Sequence, residues 1–229
     1  MREQRDPAAV QAMFDRLAGR YDLLNTVLSG GSDGRWRRRT AFATGLGPGG
    51  RALDVACGSG KLSLELRRLA GDGLIVGLDF SGGMLAVAAE HARGPSYVRG
   101  DGLALPFRDA VFDAVTVAFG LRNFAEPERG LREMARVVRP GGRAVVLEFV
   151  RPRRGPIGGL YRAYLRSVLP LLGGWISGQP QAYRYLSDTV DSYRTPEELV
   201  ALAESAGWRD PRIELRTLGT VGILSGQRE

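Results

Sequence analysis

Ala52-Leu53-Asp54-Val55 reads as a short buried strand, Ala56-Cys57-Gly58-Ser59-Gly60 as a turn, and Lys61 to Leu69, carrying Leu62, Leu64, Leu66 and Leu69, as the helix that follows. Only glycine lets backbone amides turn this tightly at a strand's carboxyl end, and the turn sets the amino terminus of the next helix beside whatever binds there. A core that starts this way is committed to strands joined by crossover helices, and its first turn is a place for a nucleoside-bearing ligand.

The rest of the chain repeats the pattern. Short apolar runs predict strands at Ala52 to Val55, Leu74 to Leu78, Ser96 to Val98, Phe112 to Val117 and Arg143 to Phe149. Helices are predicted between them at Lys61 to Leu69, Gly83 to Arg93 and Glu128 to Val138, the last stopped by Pro140-Gly141-Gly142. Unbroken runs such as Ala144-Val145-Val146-Leu147 suit a sheet covered on both faces. Thr195-Pro196-Glu197-Glu198 starts a further helix, Ala206-Gly207 stops it, and strands near Arg212 to Leu215 and Val221 to Leu224 close the sheet. Ahead of this core, Val10, Met13, Phe14, Leu17 and Tyr21 recur at helical spacing, and a second helix starts near Arg35. Residues 151 to 194 look inserted, with Leu160, Tyr161, Tyr164, Leu165, Val168 and Leu169 on an amphipathic stretch that we read as a helical lid. The expected fold is therefore α/β, a doubly wound, mostly parallel seven-stranded, Rossmann-like sheet with N-terminal helices. It forms one domain over residues 1–229: a helical cap (1–47), a cofactor-binding core (48–150), the insertion (151–194) and a closing helix and strands (195–229).

Composition narrows the chemistry. A length of 229 residues with 44% hydrophobic and 25% charged side chains supports one full core. Cys57 and His91 are the only residues of their types, so an intrachain disulfide and a four-thiolate metal site are excluded, while zinc chemistry, a serine triad and histidine acid/base catalysis are poorly supplied; no metal is expected, and a reducing compartment is. Met1 to Pro7 lacks a signal peptide's apolar core, so a cytoplasmic protein is expected. The net charge of +7 gathers at Arg35-Trp36-Arg37-Arg38-Arg39 and Arg151-Pro152-Arg153-Arg154. These clusters read as solvated faces, or as surfaces for an anionic lipid or substrate.

Asp79 ends the second strand about 20 residues beyond the glycine turn, where a carboxylate grips a ribose diol. The competing role, a cap for the helix after it, falls to Ser81. A dinucleotide is disfavoured, because the third glycine of its fingerprint falls on Ser63 and Asp54 repels a pyrophosphate. The same acid welcomes a cation, and S-adenosylmethionine carries a sulfonium and an ammonium close to its ribose. Asp54 alternatively organises the loop. Asp101, after the third strand, is placed to accept from an adenine amino group among apolar neighbours, or acts as a turn acid. Lys61 opposes the dipole of its helix and needs an anion, for which the cofactor's carboxylate is the candidate.

Asp54 to Gly60, Gly77-Leu78-Asp79, Leu105-Pro106-Phe107, Phe119-Gly120-Leu121-Arg122-Asn123, Arg139 to Arg143 and Leu147-Glu148-Phe149 resemble the class I S-adenosylmethionine methyltransferases that C-methylate ubiquinone and menaquinone precursors. Met13-Phe14-Asp15, Tyr21-Asp22-Leu23-Leu24-Asn25 and Ser29-Gly30 resemble that family's amino-terminal signature. The likeness implies Ser59, Asp79, Asp101, Gly102 and the position of Ala118 as cofactor-binding, beside Asp54, Gly58 and Gly60 read from the turn itself, and Tyr21, Arg122 and Asn123 as substrate and catalytic residues. Lys61 stands where relatives usually carry aspartate, Ser59 where they carry threonine, Gly102 where they carry alanine and Ala118 where they carry serine.

It further implies methyl transfer to a polyprenylated quinol, demethylmenaquinol in first place because Asn123-Phe124 and the histidine-poor tail look closest to menaquinone-pathway members. A benzoquinol, or another phenolic or polyketide carbon, is the alternative. A nucleic-acid-binding or RNA-modifying protein would use the +7 charge, but no aromatic stacking module accompanies it. In the expected mechanism a phenolate shares its charge with the ring carbon that attacks the methyl group. Arg122, always charged, stabilises the phenolate, and a water held by Tyr21, Arg122 and Asn123 takes the proton away. The quinol resides in the bilayer, so peripheral contact with the inner face of an anionic membrane is expected, and a homodimer is possible.

Overall fold

A computed structural model describes residues 10–16, 18–19, 26, 29–151 and 193–228. Residues 10–16 are helical. After them come α1 (Asp33–Ala43), β1 (Ala52–Val55), α2 (Lys61–Ala70), β2 (Ile75–Asp79), α3 (Gly82–His91), β3 (Ser96–Arg99), β4 (Phe112–Ala118), α4 (Pro127–Val137), β5 (Val138–Phe149), α5 (Pro196–Ser205), β6 (Arg209–Arg216) and β7 (Val221–Gln227). Apart from Arg151, Tyr193 and Arg194, the expected insertion lies outside the described residues.

The strands form one seven-stranded sheet in the order β3-β2-β1-β4-β5-β7-β6. All pairs from β3 to β5 are parallel, and β7 is antiparallel to both neighbours. The direction of winding reverses between β1 and β4, so a crevice opens at their carboxyl ends. Side chains of a strand alternate between faces, and two cores follow. Leu53, Val55, Val115 and Val117 pack with Leu131 and Met134 of α4 and Leu199 of α5. Ala52, Ala114, Val145 and Leu147 pack with Leu62 and Leu66 of α2 and Trp36 of α1. Each large side chain so buried contributes about 1.5–3 kcal/mol.

Local signals set the element ends. Thr195 and Glu198 form a reciprocal capping box on α5 with Pro196 in its first turn, satisfying amides that no helix can bond internally. Ser81 caps α3 by accepting from the Met84 amide, as the sequence suggested. β5 starts earlier than predicted, because Val138 still pairs with Phe112 before the register shifts and Arg143 pairs with Ala114.

Candidate active site

The turn after β1 is built on left-handed backbone: φ is +50° at Ala56, +56° at Gly58 and +80° at Gly60. A Cβ on Gly60 would stand 2.5 Å from the Tyr97 hydroxyl oxygen and 2.8 Å from the Ala92 Cβ, so only glycine lets α2 start this close to the sheet. The Gly58 amide donates to Asp79 Oδ2 at 2.8 Å, and the Ser81 amide to Asp79 Oδ1 at 2.9 Å. Asp79 thereby ties the first turn to the second. With the Phe80 amide these use up to three of about four acceptor positions of its carboxylate, which leaves acceptor capacity beside the cavity it lines. Burial pushes its pKa above the ordinary carboxylate value.

That cavity, about 370 Å³, opens at the β1/β4 crevice. Gly58, Asp79, Asp101, Gly102, Ala118 and Asn123 all line it, so six of the residues singled out from sequence share one wall. Asp101 is exposed and accepts from the Leu103 amide at 2.9 Å. A Cβ on Gly102 would lie 2.6 Å from the Phe124 ring; the missing side chain makes the slot in which Phe124 stands against the cavity.

Ser59 is buried in the turn and Gly60 caps α2; neither is on the wall. Tyr21 lies outside the described residues. Asp54 is a correction to the expectation that it faces a cation. Strand alternation points it toward α2 with Ala52, where its carboxylate is fully buried and accepts the hydroxyls of Ser63 at 2.7 Å and Thr116 at 2.9 Å. Burial raises its pKa to about 6 against those two hydrogen bonds and the nearby Arg37 charge. Its role is to brace the turn from beneath.

Arg122, expected as a cation aimed at substrate, is held to the protein through one end of its guanidinium. It is 5% exposed, and its Nη1 donates to Glu148 Oε1 at 2.7 Å and to the Phe119 carbonyl at 2.6 Å. The other Glu148 oxygen accepts the Arg122 amide at 3.1 Å. This buried pair clamps Phe119, whose φ of +59° is strained for a residue with a side chain. Asn123, next in the short 3-10 turn, then meets the cavity. Lys61 finds its anion inside the protein, Asp33 Oδ2 at 3.6 Å, rather than needing one from a ligand. In the basic cluster Arg35, Arg38 and Arg39 are exposed as expected, but Arg37 is buried.

Sequence reasoning missed the opposite wall. Val10, Gln11 and Phe14 of the first helix cover the cavity. Phe14 meets Phe80 edge to face, and Asp15 Oδ1 accepts from the Ser81 hydroxyl at 2.5 Å and the Gly83 amide at 3.0 Å, latching this helix to α3. Glu148 was missed as well, although an acid inside the apolar run of β5 was a signal, since such a charge needs a partner.

A model of the ubiE/COQ5 methyltransferase family matches residues 1–228. The demethylmenaquinone methyltransferase of Thermus thermophilus is 49% identical over 220 residues, 94% of this chain and 100% of that protein. That of Mycolicibacterium vanbaalenii is 47% identical over 96% of this chain and 95% of its own. A solved S-adenosylmethionine-dependent methyltransferase from Thermotoga maritima, described as a possible histamine N-methyltransferase, superposes with a TM-score of 0.66 at 19% identity, covering 95% of this chain and 99% of that one. At that identity the likeness speaks for the fold.

Proposed function

The chain belongs to the ubiE/COQ5 methyltransferase family, and from that premise we propose that it transfers a methyl group from S-adenosylmethionine to a ring carbon of demethylmenaquinol. The observation that carries the reading is the shared cavity wall: a ribose-type carboxylate, a glycine turn, a base-end acid and an amide side chain within about 370 Å³, a volume suited to a small-molecule cofactor. The near-complete overlap with demethylmenaquinone methyltransferases supports the naphthoquinol.

Bound S-adenosylmethionine supplies a methyl group on a positively charged sulfur. Asp79 holds the ribose diol with its remaining acceptor capacity. Asp101 and Gly102 take the adenine, with Phe80, Met84 and Phe124 as apolar neighbours. Gly58 and Ala118 flank the amino-acid portion, while Ser59, Gly60 and the buried Asp54 keep the turn in shape. On the quinol side, Asn123, with Tyr21 as the second residue the resemblance assigns there, would meet the oxygen whose proton passes to water. The ring carbon of the resulting phenolate takes the methyl group as the methyl–sulfur bond breaks, and gives up its own proton to water as the ring becomes aromatic again. Arg122 acts through the turn it clamps with Glu148: it stays protonated, so it is not the base, and it holds Asn123 in place. The first helix, latched by Asp15, keeps water off the cofactor end. Positioning and charge stabilisation of this kind are what such a displacement requires.

Purified protein given methyl-labelled cofactor and either demethylmenaquinol or a benzoquinol analogue is expected to label the naphthoquinol ring. Label in the benzoquinol alone would overturn the substrate, and label in neither would overturn the activity.

A further inference from the structure

Gly130 is buried inside α4, a place where glycine weakens a helix that alanine would strengthen. An aromatic ring explains it. A Cβ on Gly130 would stand 2.6 Å from Phe124 Cε2, and one on Gly102 would stand 2.9 Å from the same atom and 2.6 Å from Cζ. One edge of the Phe124 ring therefore fills the space of two missing side chains, one from the loop after β3 and one from α4.

The ring is also fixed at its root. The Phe124 amide donates to the Leu121 carbonyl at 3.1 Å, closing the 3-10 turn that Arg122 and Glu148 brace. With its backbone held on one side and its ring edge seated along two glycines on the other, the side chain has little room to swing, because a packed interior transmits even a methyl group's displacement. Phe124 is half-buried, packs on the core that α4 covers, and lines the cavity with Asp101, Gly102 and Leu103. The edge on the glycines faces protein, which leaves the remaining surface of the ring as a stiff piece of wall at the Asp101 end of the site.

We propose that Phe124 sets the size of the base that the cavity accepts, and that Gly130 is a positioning residue that lets the ring stand where it does. The assignment rests on the methyl-donor reading above and deepens it: the wall beside Asp101 admits an adenine with a free amino group and refuses one that carries a bulky substituent there. Specificity of this kind is steric, so it belongs to the shape of the wall and not to a hydrogen bond.

Calorimetry with S-adenosylhomocysteine and its N6-benzyl derivative, which keeps one amino hydrogen and adds a ring at the base, tests this. The wild type is expected to bind the benzyl compound at least roughly tenfold more weakly than the parent, and Phe124→Ala to narrow that ratio by about tenfold. Gly130→Ala, whose methyl group displaces the ring toward the cavity, is expected to weaken the parent compound by roughly tenfold, and Phe124→Ala in the same chain to recover it. Equal binding of the two compounds by the wild type, an unchanged ratio in Phe124→Ala, as loss of a merely packing ring would give, or wild-type affinity in Gly130→Ala would each overturn the assignment. If Phe124→Ala does not fold, Phe124→Leu, which keeps more of the slot filled, decides by the same ratio. A wild-type protein that binds neither compound would instead remove the methyl-donor reading itself.

Discussion

Asp54 shows how much one residue's role depends on which way it faces. Its type and place, an acid before a glycine turn, are plain in the sequence, but the alternation of β1 sends it toward α2 and away from the cavity. Burial is the largest influence on its carboxyl and raises the pKa from 3.8 to about 6. Between those values the folded protein keeps a proton that the unfolded chain has released. Stability is therefore highest with respect to this group below pH 3.8, falls as pH rises toward 6, and is level above. At 1.36 kcal/mol per unit the cost is about 3 kcal/mol. Asp54→Asn is expected to flatten this slope when unfolding by urea is followed from pH 4 to 7; a slope as steep as in the wild type would assign the titration to another group. Arg37 was equally hidden, since within a run of arginines nothing marks the one that the helix turns inward.

At the scale of elements, the strand ends and helix starts were legible because turns and caps are local. The turn Phe119 to Asn123 was legible as a motif, whereas its support was not. Glu148 arrives from β5 and accepts three donors, the Arg122 side chain and the amides of Arg122 and Phe149. Removing one partner of a buried pair leaves the other charge uncompensated, so Glu148→Ala is expected to cost about 3–5 kcal/mol in urea unfolding. Glu148→Gln, which keeps an acceptor, should cost less. Wild-type stability in Glu148→Ala would show that the clamp does not hold the turn. Boundaries were less legible where pairing is non-local, as at Val138, which stays in the sheet because Phe112 lies opposite.

For the whole molecule, the net charge of +7 and the proposed lipid-soluble substrate together lead to an expectation about membranes. Among the described residues no helix is long and apolar enough to cross a membrane, and Leu218, 77% exposed, sits between β6 and β7 next to the paired Val221 and Phe149, at the end of the sheet where the cavity opens. The protein is expected to float with anionic vesicles at low salt and to leave them at high salt, because attraction to the lipid surface is screened within about 10 Å at 0.1 M. Remaining in the soluble fraction at low salt would count against membrane docking. The succession of strands, glycine turns and helices, and the acids at the strand ends, followed from the chain alone, since propensity, capping and turn chemistry act over a few residues. Folding alone decided which charges are buried and with whom. Asp15 meets Ser81, Asp33 meets Lys61 and Arg122 meets Glu148 only once the sheet is assembled, because burial and pairing are properties of segments that the sequence keeps far apart.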